Sequence, residues 1–393
     1  MGVALLEKLT RPAWMEIDLD NLTNNYKEMR RILKDTTKVI AVVKADAYEH
    51  GAVQIVRSLM EEGVKRFAVA NLSEALHIRK YVKDAEILVM GYTPEYLGEN
   101  AILNDIILTV YLKEQAETFS QLAKRLNKIV KLHIKVETGM NRLGFMPNED
   151  GIKDIEDICN MDNIEVEGIF THFAASDDDP RYTMEQVSKF DYVCSELLKL
   201  GINIPIKHVS NSAAIMNFRD LDYDMVRAGI ILYGVYPFPD ADRELLKLKN
   251  ILTLKAQISH VKEVEAGEKL SYGLIYEAEK KTKIATIPIG YADGFSRELS
   301  NKGNCIVKNT IVPIVGRICM DQLMIDVTGL DVKRGDEVIL MGKNGDKEIT
   351  IEEIASKIGQ IPAAVQCMFT KRLPRIYIKN NEIINVTDYL LEL

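Results

Sequence analysis

Between about residues 37 and 233, eight short apolar runs alternate with stretches of amphipathic helical period, and this pattern restricts the fold more than anything else in the chain. The runs fall at 39–43, 67–70, 86–90, 106–110, 131–136, 166–171, 206–209 and 225–231. The first, Val39-Ile40-Ala41-Val42-Val43, is apolar without alternation, as a strand covered on both faces must be. Helical patterns lie between the runs, for example at 52–62, 114–126 and 184–200. Eight strands with crossover segments predict a closed parallel α/β barrel of the (β/α)8, or TIM, type, which takes roughly 250 residues. An open doubly wound sheet is the rival, but no GxGxxG follows the first strand.

Near residue 246 the pattern changes to alternation broken by turn signals. Candidate strands are 255–264, 282–288, 304–315, 323–327 and 337–341, with turns at Glu265-Ala266-Gly267 and Lys333-Arg334-Gly335-Asp336. One helix is expected at 351–358. The division is therefore a barrel over 1–245 and a mainly antiparallel β domain over 246–393. Residues 1–18, which include the alternating segment 14–18, are free to join either.

All 393 residues carry a net charge of −8 with both signs interspersed, so no basic stripe exists to follow a nucleic-acid backbone. No apolar run reaches the ~18 residues of a membrane span, and the start MGVALLEKLTRP is too short in apolar residues for a secretion signal. The five cysteines, at 159, 194, 305, 319 and 367, never stand in CxxC spacing. That argues against a zinc ribbon or disulfide framework and for reduced thiols in the cytoplasm.

In a barrel of this kind the chemistry gathers at the C-terminal ends of the strands. Lys44 follows the first strand, and an ammonium at the mouth of an apolar strand is readily desolvated, as a Schiff-base lysine requires. Tyr48 lies in the same turn. Glu137 and Arg142 follow the fifth strand, and His172 the sixth. Ser210, Asn211 and Ser212 follow the seventh, with His208 inside it, and Arg227, Gly229 and Ile230 lie within the eighth. Loops after strands 7 and 8 form the usual phosphate cup of such barrels. Ser212 opens a helix and Gly229 allows close backbone approach. Asn211 or Ser212 reads equally well as a plain helix cap. A phosphate cup facing a reactive lysine suggests pyridoxal 5'-phosphate.

AVVKADAYEHG, KVETGMNRLG, THFAASDD, NSAA, VRAGIILYG, LSYG, IPIGYADG and GRICMDQ together resemble, in order and over nearly the whole chain, the alanine racemase family. The resemblance implies a pyridoxal-phosphate barrel enzyme with a β-rich second domain, working as a homodimer whose active sites draw on both subunits. By it Lys44 carries the cofactor, and Tyr48, Ser212, Gly229 and Ile230 hold its phosphate, with Asn211 beside them. Arg227 faces the pyridine nitrogen. A guanidinium stays protonated, so that nitrogen stays bare and the ring is a weaker electron sink. Lys44 and Tyr272 of the partner subunit are the two bases, with His172 and Arg227 helping the phenol ionise. Arg142 and the backbone N–H of Met320 hold the substrate carboxylate. Lys135 stands where the family often has a carbamylated lysine, and Tyr291 and Asp321 line the entrance. Supply of D-alanine for peptidoglycan is the role the family suggests.

Asp46 and Glu49 depart from the family's lysine motif, which has Asn and Gly there. A negative φ at 49 would accept glutamate. Lys371, in FTKRLPR, replaces a tyrosine that touches both phosphate and substrate pocket. That change makes serine, or another small polar amino acid, an alternative substrate. A decarboxylase would need an acidic partner at the pyridine nitrogen, where Arg227 stands. A non-catalytic cofactor carrier would lack the second domain.

Overall fold

The computed structural model describes residues 9–391; residues 1–8, part of the segment that could join either domain, and 392–393 lie outside it. The chain opens on strand β1 (Ala13–Asp18) and helix α1 (Leu19–Ile32). Two compact units follow from the packing of the described residues: residues 23–47 with 52–248, and residues 9–22, 48–51 and 249–391.

The first unit carries β2 (Lys38–Val42), β3 (Arg66–Val69), β4 (Glu86–Val89), β5 (Ile107–Val110), β6 (Val130–Lys135), β7 (Ile164–Phe170), β8 (Ile206–His208) and β9 (Met225–Ala228). They form one parallel sheet in the order β8-β7-β6-β5-β4-β3-β2-β9. The chain thus closes on itself through β2 and β9, where Ile40 pairs with Arg227. The remaining seam, between β8 and β9, has no ladder, but Asp224 N donates to Lys207 O at 3.1 Å and Arg227 N to Ser210 O at 3.0 Å. The expected barrel is what forms. β2 and β4 lack alternation after their first residue because both faces are covered, with Ile40, Ala41, Leu88 and Val89 fully buried. β6 alternates, Leu132 and Ile134 fully buried between Lys131, His133 and Lys135.

Helices α2 (Ala52–Glu61), α3 (Leu72–Tyr81), α4 (Gly98–Leu103), α5 (Lys113–Arg125), α6 (Glu149–Cys159), α7 (Pro180–Lys199) and α8 (Ser212–Asn217) connect the strands. Several starts are set by short polar caps. Asn71 accepts from Glu74 N, Asn148 from Gly151 N, and Asp179 from Tyr182 N just ahead of Pro180.

The second unit is mainly antiparallel. Its strands are β10 (Leu252–Gln257), β11 (His260–Val264), β12 (Lys269–Leu270), β13 (Tyr276–Glu277), β14 (Thr282–Ile287), β15 (Asn304–Val307), β16 (Thr310–Pro313), β17 (Leu323–Asp326), β18 (Glu337–Asn344), β19 (Lys347–Ile349), β20 (Arg375–Lys379) and β21 (Glu382–Thr387), with α9 (Ile351–Ile358) and α10 (Pro362–Gln366). The main sheet runs β16-β15-β18-β10-β1-β20-β21, with a separate β11-β14-β17 sheet and a β12-β13 pair. β1 therefore lies inside this sheet, antiparallel to β10 and parallel to β20. Trp14 packs within it, its Nε1 donating to Glu16 at 3.0 Å while Lys255 closes on the same carboxylate at 3.1 Å.

Three expected strands are corrected. The run 255–264 splits into β10 and β11, because Ile258 N turns to Asp336 O and Ser259 N to Thr286 O, both at 2.9 Å. The run 304–315 is a hairpin, reversed at Lys308 and Asn309 with φ of 46° and 60°. The last barrel strand stops at Ala228, and Ile230–Tyr233 is a 3-10 turn.

Candidate active site

β2 delivers Lys44 into an unusual turn. Ala45, Asp46, Ala47, Tyr48 and Glu49 all have positive φ, between 51° and 65°, so five L-residues in succession wind left-handed. Such a turn costs roughly 1–2 kcal/mol per residue and persists only where its surroundings fix it. Part of that fixing comes from Glu74, whose carboxylate accepts from Ala45 N at 2.9 Å and Ala70 N at 2.8 Å. Asp46 accepts from Ala52 N at 2.7 Å, which seats the start of α2. The negative φ that would have suited Glu49 is not found: its φ is +65°. The structure answers with a partner instead. Arg375, whose side chain is fully buried, donates to the Glu49 carboxylate at 3.0 Å and to its carbonyl at 3.2 Å. Lys44 itself is exposed in the single chain rather than desolvated.

Arg227 projects from β9 and is buried among neutral groups. Its Nη1 donates to His208 O at 2.8 Å and Nδ1 at 2.9 Å, and its Nη2 to Thr171 O and Val209 O, both at 2.8 Å. The same Nη2 lies 3.3 Å from His172 Nδ1. Burial, with help from the Arg142 charge, pushes the guanidinium down to about 9. It still carries its charge at neutral pH. Burial and then the charges of Arg227, Arg142, Lys135 and Lys44 hold His172 well below the ordinary imidazole range, so that ring is neutral.

Lys135, at the end of β6, is buried, with its Nζ donating to Val136 O at 2.9 Å and Leu143 O at 3.3 Å. Burial pushes it down to about 8; Glu137 opposes this, and Arg227 and Arg142 add to it. Burial works to raise the Glu137 carboxyl, but backbone N–H groups of Asn141, Gly139 and Arg142 outweigh it and keep the group below its usual range. Glu137 thereby organises the loop that presents Arg142, accepting from Gly139 N at 2.6 Å and Arg142 N at 3.0 Å.

At the seam, Asn211 commits its side-chain oxygen to capping α8, accepting from Ala214 N at 3.0 Å and from Ser176 Oγ at 2.9 Å. The plain reading as a cap is the correct one for that oxygen. Ser212 Oγ accepts from Gly229 N at 3.0 Å, so this pair forms a preset polar corner. Ile230 opens the following 3-10 turn, where an N–H has no partner within the turn.

In the second unit Tyr272 is 70% exposed and sits on a turn forced by positive φ at Ser271 (65°) and Leu274 (53°). Ser271 Oγ donates to Arg317 O at 2.6 Å and lies 3.7 Å from Cys319 Sγ, which links this turn to the 317–321 segment. Tyr291 N and Ala292 N donate to Cys319 O and Met320 O at 3.1 and 3.0 Å. Gly290 makes that interlock possible, since a Cβ there would meet both carbonyl oxygens within 2.4 Å. Asp321 pairs with Arg372 at 2.8 Å. Tyr272, Tyr291, Met320, Asp321 and the 370–372 loop are thus tied together within this unit. Lys371 holds its Nζ 5.3 Å from the Tyr389 ring centroid, and Arg375 lies 5.0 Å from the same ring. Tyr48 belongs to this unit too, and burial, chiefly, pushes its phenol up.

Arg375, His133 and Glu167 are site-supporting residues that the sequence motifs do not mark. A signal for His133 was available in its parity: it shares one face of β6 with Lys135, two residues on, whose strand end faces the site.

A parallel barrel with a lysine at a strand end, joined in one chain to a β domain that displays a tyrosine, defines a class of two-domain barrel enzyme. Residues 17–237 match the family model "Alanine racemase, N-terminal domain", and residues 251–377 match "Alanine racemase, C-terminal domain". The chain is 48% identical over 382 residues to the alanine racemase of Clostridium perfringens strain SM101, covering 97% of this chain and 99% of that one. It is 48% identical over 372 residues to the alanine racemase of Methanococcus maripaludis, covering 94% and 100%. The solved alanine racemase of Clostridium difficile 630 superposes with a TM-score of 0.94 at 43% identity, covering 98% of this chain and 100% of that one. The chain belongs to the alanine racemase family and is an isomerase of the racemase type.

Proposed function

We propose that the protein interconverts L- and D-alanine with pyridoxal 5'-phosphate bound through Lys44. The observation that carries this reading is the setting of Arg227: a buried cation whose hydrogen-bond partners are three carbonyls and two imidazole nitrogens, with no carboxylate in contact with it among the described residues. That donor set fits a pyridine ring whose nitrogen accepts a hydrogen bond and carries no proton. The Ser212–Gly229 corner and the Ile230 N–H suit the phosphate, with Tyr48 adding a hydroxyl. When bound, the cofactor withdraws electrons from the substrate α-carbon and acidifies its C–H bond.

The remaining chemistry belongs to the chain. Lys44 Nζ exchanges a proton on one face of the α-carbon, and the Tyr272 hydroxyl of the partner subunit exchanges one on the other. Neutral His172 accepts from Arg227 and offers its other nitrogen to orient that phenol. Arg142, on the loop organised by Glu137 and braced by Lys135, holds the substrate carboxylate together with the Met320 N–H of the partner subunit. Tyr291 and Asp321 narrow the entrance. The active form is a homodimer, in the cytoplasm, supplying D-alanine to peptidoglycan precursors. Among the described residues no helix is long and apolar enough to cross a membrane.

Serine is the second reading. It rests on Lys371, which puts an ammonium 5.3 Å from the Tyr389 ring at a position where the family has a tyrosine. Chiral chromatography of a panel of L-amino acids incubated with holoenzyme separates the two. Fastest conversion of alanine is expected; faster conversion of serine moves the assignment, and no conversion of any member overturns it.

A further inference from the structure

Among the described residues the guanidinium of Arg227 touches no anion, yet a continuous line of side-chain hydrogen bonds connects it to one. His208 Nδ1 lies 2.9 Å from Arg227 Nη1. His208 Nε2 lies 2.8 Å from His133 Nδ1, and His133 Nε2 lies 3.1 Å from Glu167 Oε1. Glu167 also meets Arg66 at 3.0 Å and Lys131 at 3.3 Å, and Arg66 meets Glu86 at 2.7 Å. The line therefore runs through the barrel interior from β9 toward the beginnings of β3, β4 and β6.

Its two ends have fixed character, and that determines every proton between them. Arg227 only donates, so His208 Nδ1 is bare. Burial first, and then the Arg227 and neighbouring charges, keep His208 neutral, so its one hydrogen sits on Nε2. That hydrogen points at His133 Nδ1, which must then be bare. Burial lowers His133 as well, and its hydrogen sits on Nε2, directed at Glu167. Glu167 is ionised at neutral pH and accepts it. Arg66 Nη1 approaches the same His133 nitrogen at 3.4 Å, longer than the Glu167 bond, and its paired Nη2 is engaged by carboxylates. Both rings are held in place by packing. Phe170 stacks on His208 at 4.7 Å with planes 7° apart. At Gly168 a Cβ would come within 2.4 Å of the His133 ring, so only glycine leaves room for it.

We propose that Glu167 is a positioning residue for Arg227, acting as its remote counter-charge through His133 and His208, which it locks in the Nε2–H form. The polarised line draws the Nη1 hydrogen of Arg227 toward His208 and fixes the plane of the guanidinium, leaving its orientation toward the cofactor ring constant through turnover. The functional part rests on the reading that Arg227 faces that ring; the proton arrangement does not.

Two measurements test it. Nitrogen-15 NMR of histidine-labelled protein should show the His133 and His208 rings neutral with bare Nδ1 and protonated Nε2, each assigned by its loss in the single variants His133→Gln and His208→Gln. A proton on Nδ1 of either ring, or a doubly protonated ring, overturns the proposal whatever the enzyme's substrate. In holoenzyme, Glu167→Gln should displace the absorption band of the bound cofactor and lower kcat about tenfold with KM little changed, as loss of outer-shell partners does elsewhere. Glu167→Asp should recover the parental band in part. Parental kcat and band in Glu167→Gln overturn the proposal, and if that variant does not fold, the Glu167→Asp band and the tautomers decide. Failure of the parent to racemise any amino acid would instead overturn the functional reading, with the tautomers unaffected.

Discussion

Glu49 offers a sharp test of the left-handed turn, because glycine and alanine at that position separate two effects that oppose each other. Its φ is +65°, and its carboxylate is held at 3.0 Å by Arg375, which is fully buried and also donates to Thr370 O and Leu373 O. Glu49→Gly removes one left-handed penalty of roughly 1–2 kcal/mol. It also deletes a hydrogen bond to a charged donor, a contribution of about 1.5–3 kcal/mol. The net result is a loss of about 1 kcal/mol. Glu49→Ala deletes the same bond and keeps the penalty, so it should lie below Glu49→Gly by roughly 1–2 kcal/mol. Urea unfolding of the three holoproteins at one pH and one cofactor concentration reads this order from the midpoints. An alanine variant as stable as the glycine variant would refute the positive φ, and a glycine variant more stable than the parent would refute the worth assigned to Arg375.

Two further outcomes follow from the site. Tyr272→Phe should retain bound cofactor while racemisation falls by about 100-fold or more, the usual worth of a general base, measured by polarimetry alongside the cofactor spectrum; undiminished turnover would mean the second base lies elsewhere. Burial pushes the Lys135 ammonium down to about 8 from its ordinary 10.5. Below pH 8 both folded and unfolded chains bind its proton and the full burial penalty stands. Between pH 8 and 10.5 the unfolded chain binds more protons, so stability rises with pH at up to about 1.4 kcal/mol per unit, then levels off. Lys135→Met should lose that rise relative to the parent in urea midpoints taken across this range, and identical pH profiles would contradict the burial.

How much of this was legible in the sequence depends on what each residue's neighbours are. The first barrel strand was readable because its apolar run Val39 to Val43 is covered on both faces. The helix Ile351–Ile358 was readable because Thr350 caps it and Gly359 ends it. The bend at Ile258–Ser259 was hidden, since an apolar run looks the same whether it serves one sheet or two. β12 and β13, two residues each, are too short to show a period. Motif order gathered Tyr272, Tyr291, Met320 and Asp321, but the bonds of Ser271 and Arg372 that tie them together depend on contacts distant in sequence. The Glu49–Arg375 pair, 326 positions apart, is of the same kind. A glutamate in a glycine's place announces a problem without naming its solution.

The linkage of cofactor to Lys44 underlies the whole mechanism, and reduction with borohydride followed by peptide mapping addresses it directly. The added pyridoxyl mass is expected on the peptide containing Lys44, and a Lys44→Ala variant should yield no labelled peptide. A label on any other lysine, with Lys44 unmodified, would contradict it.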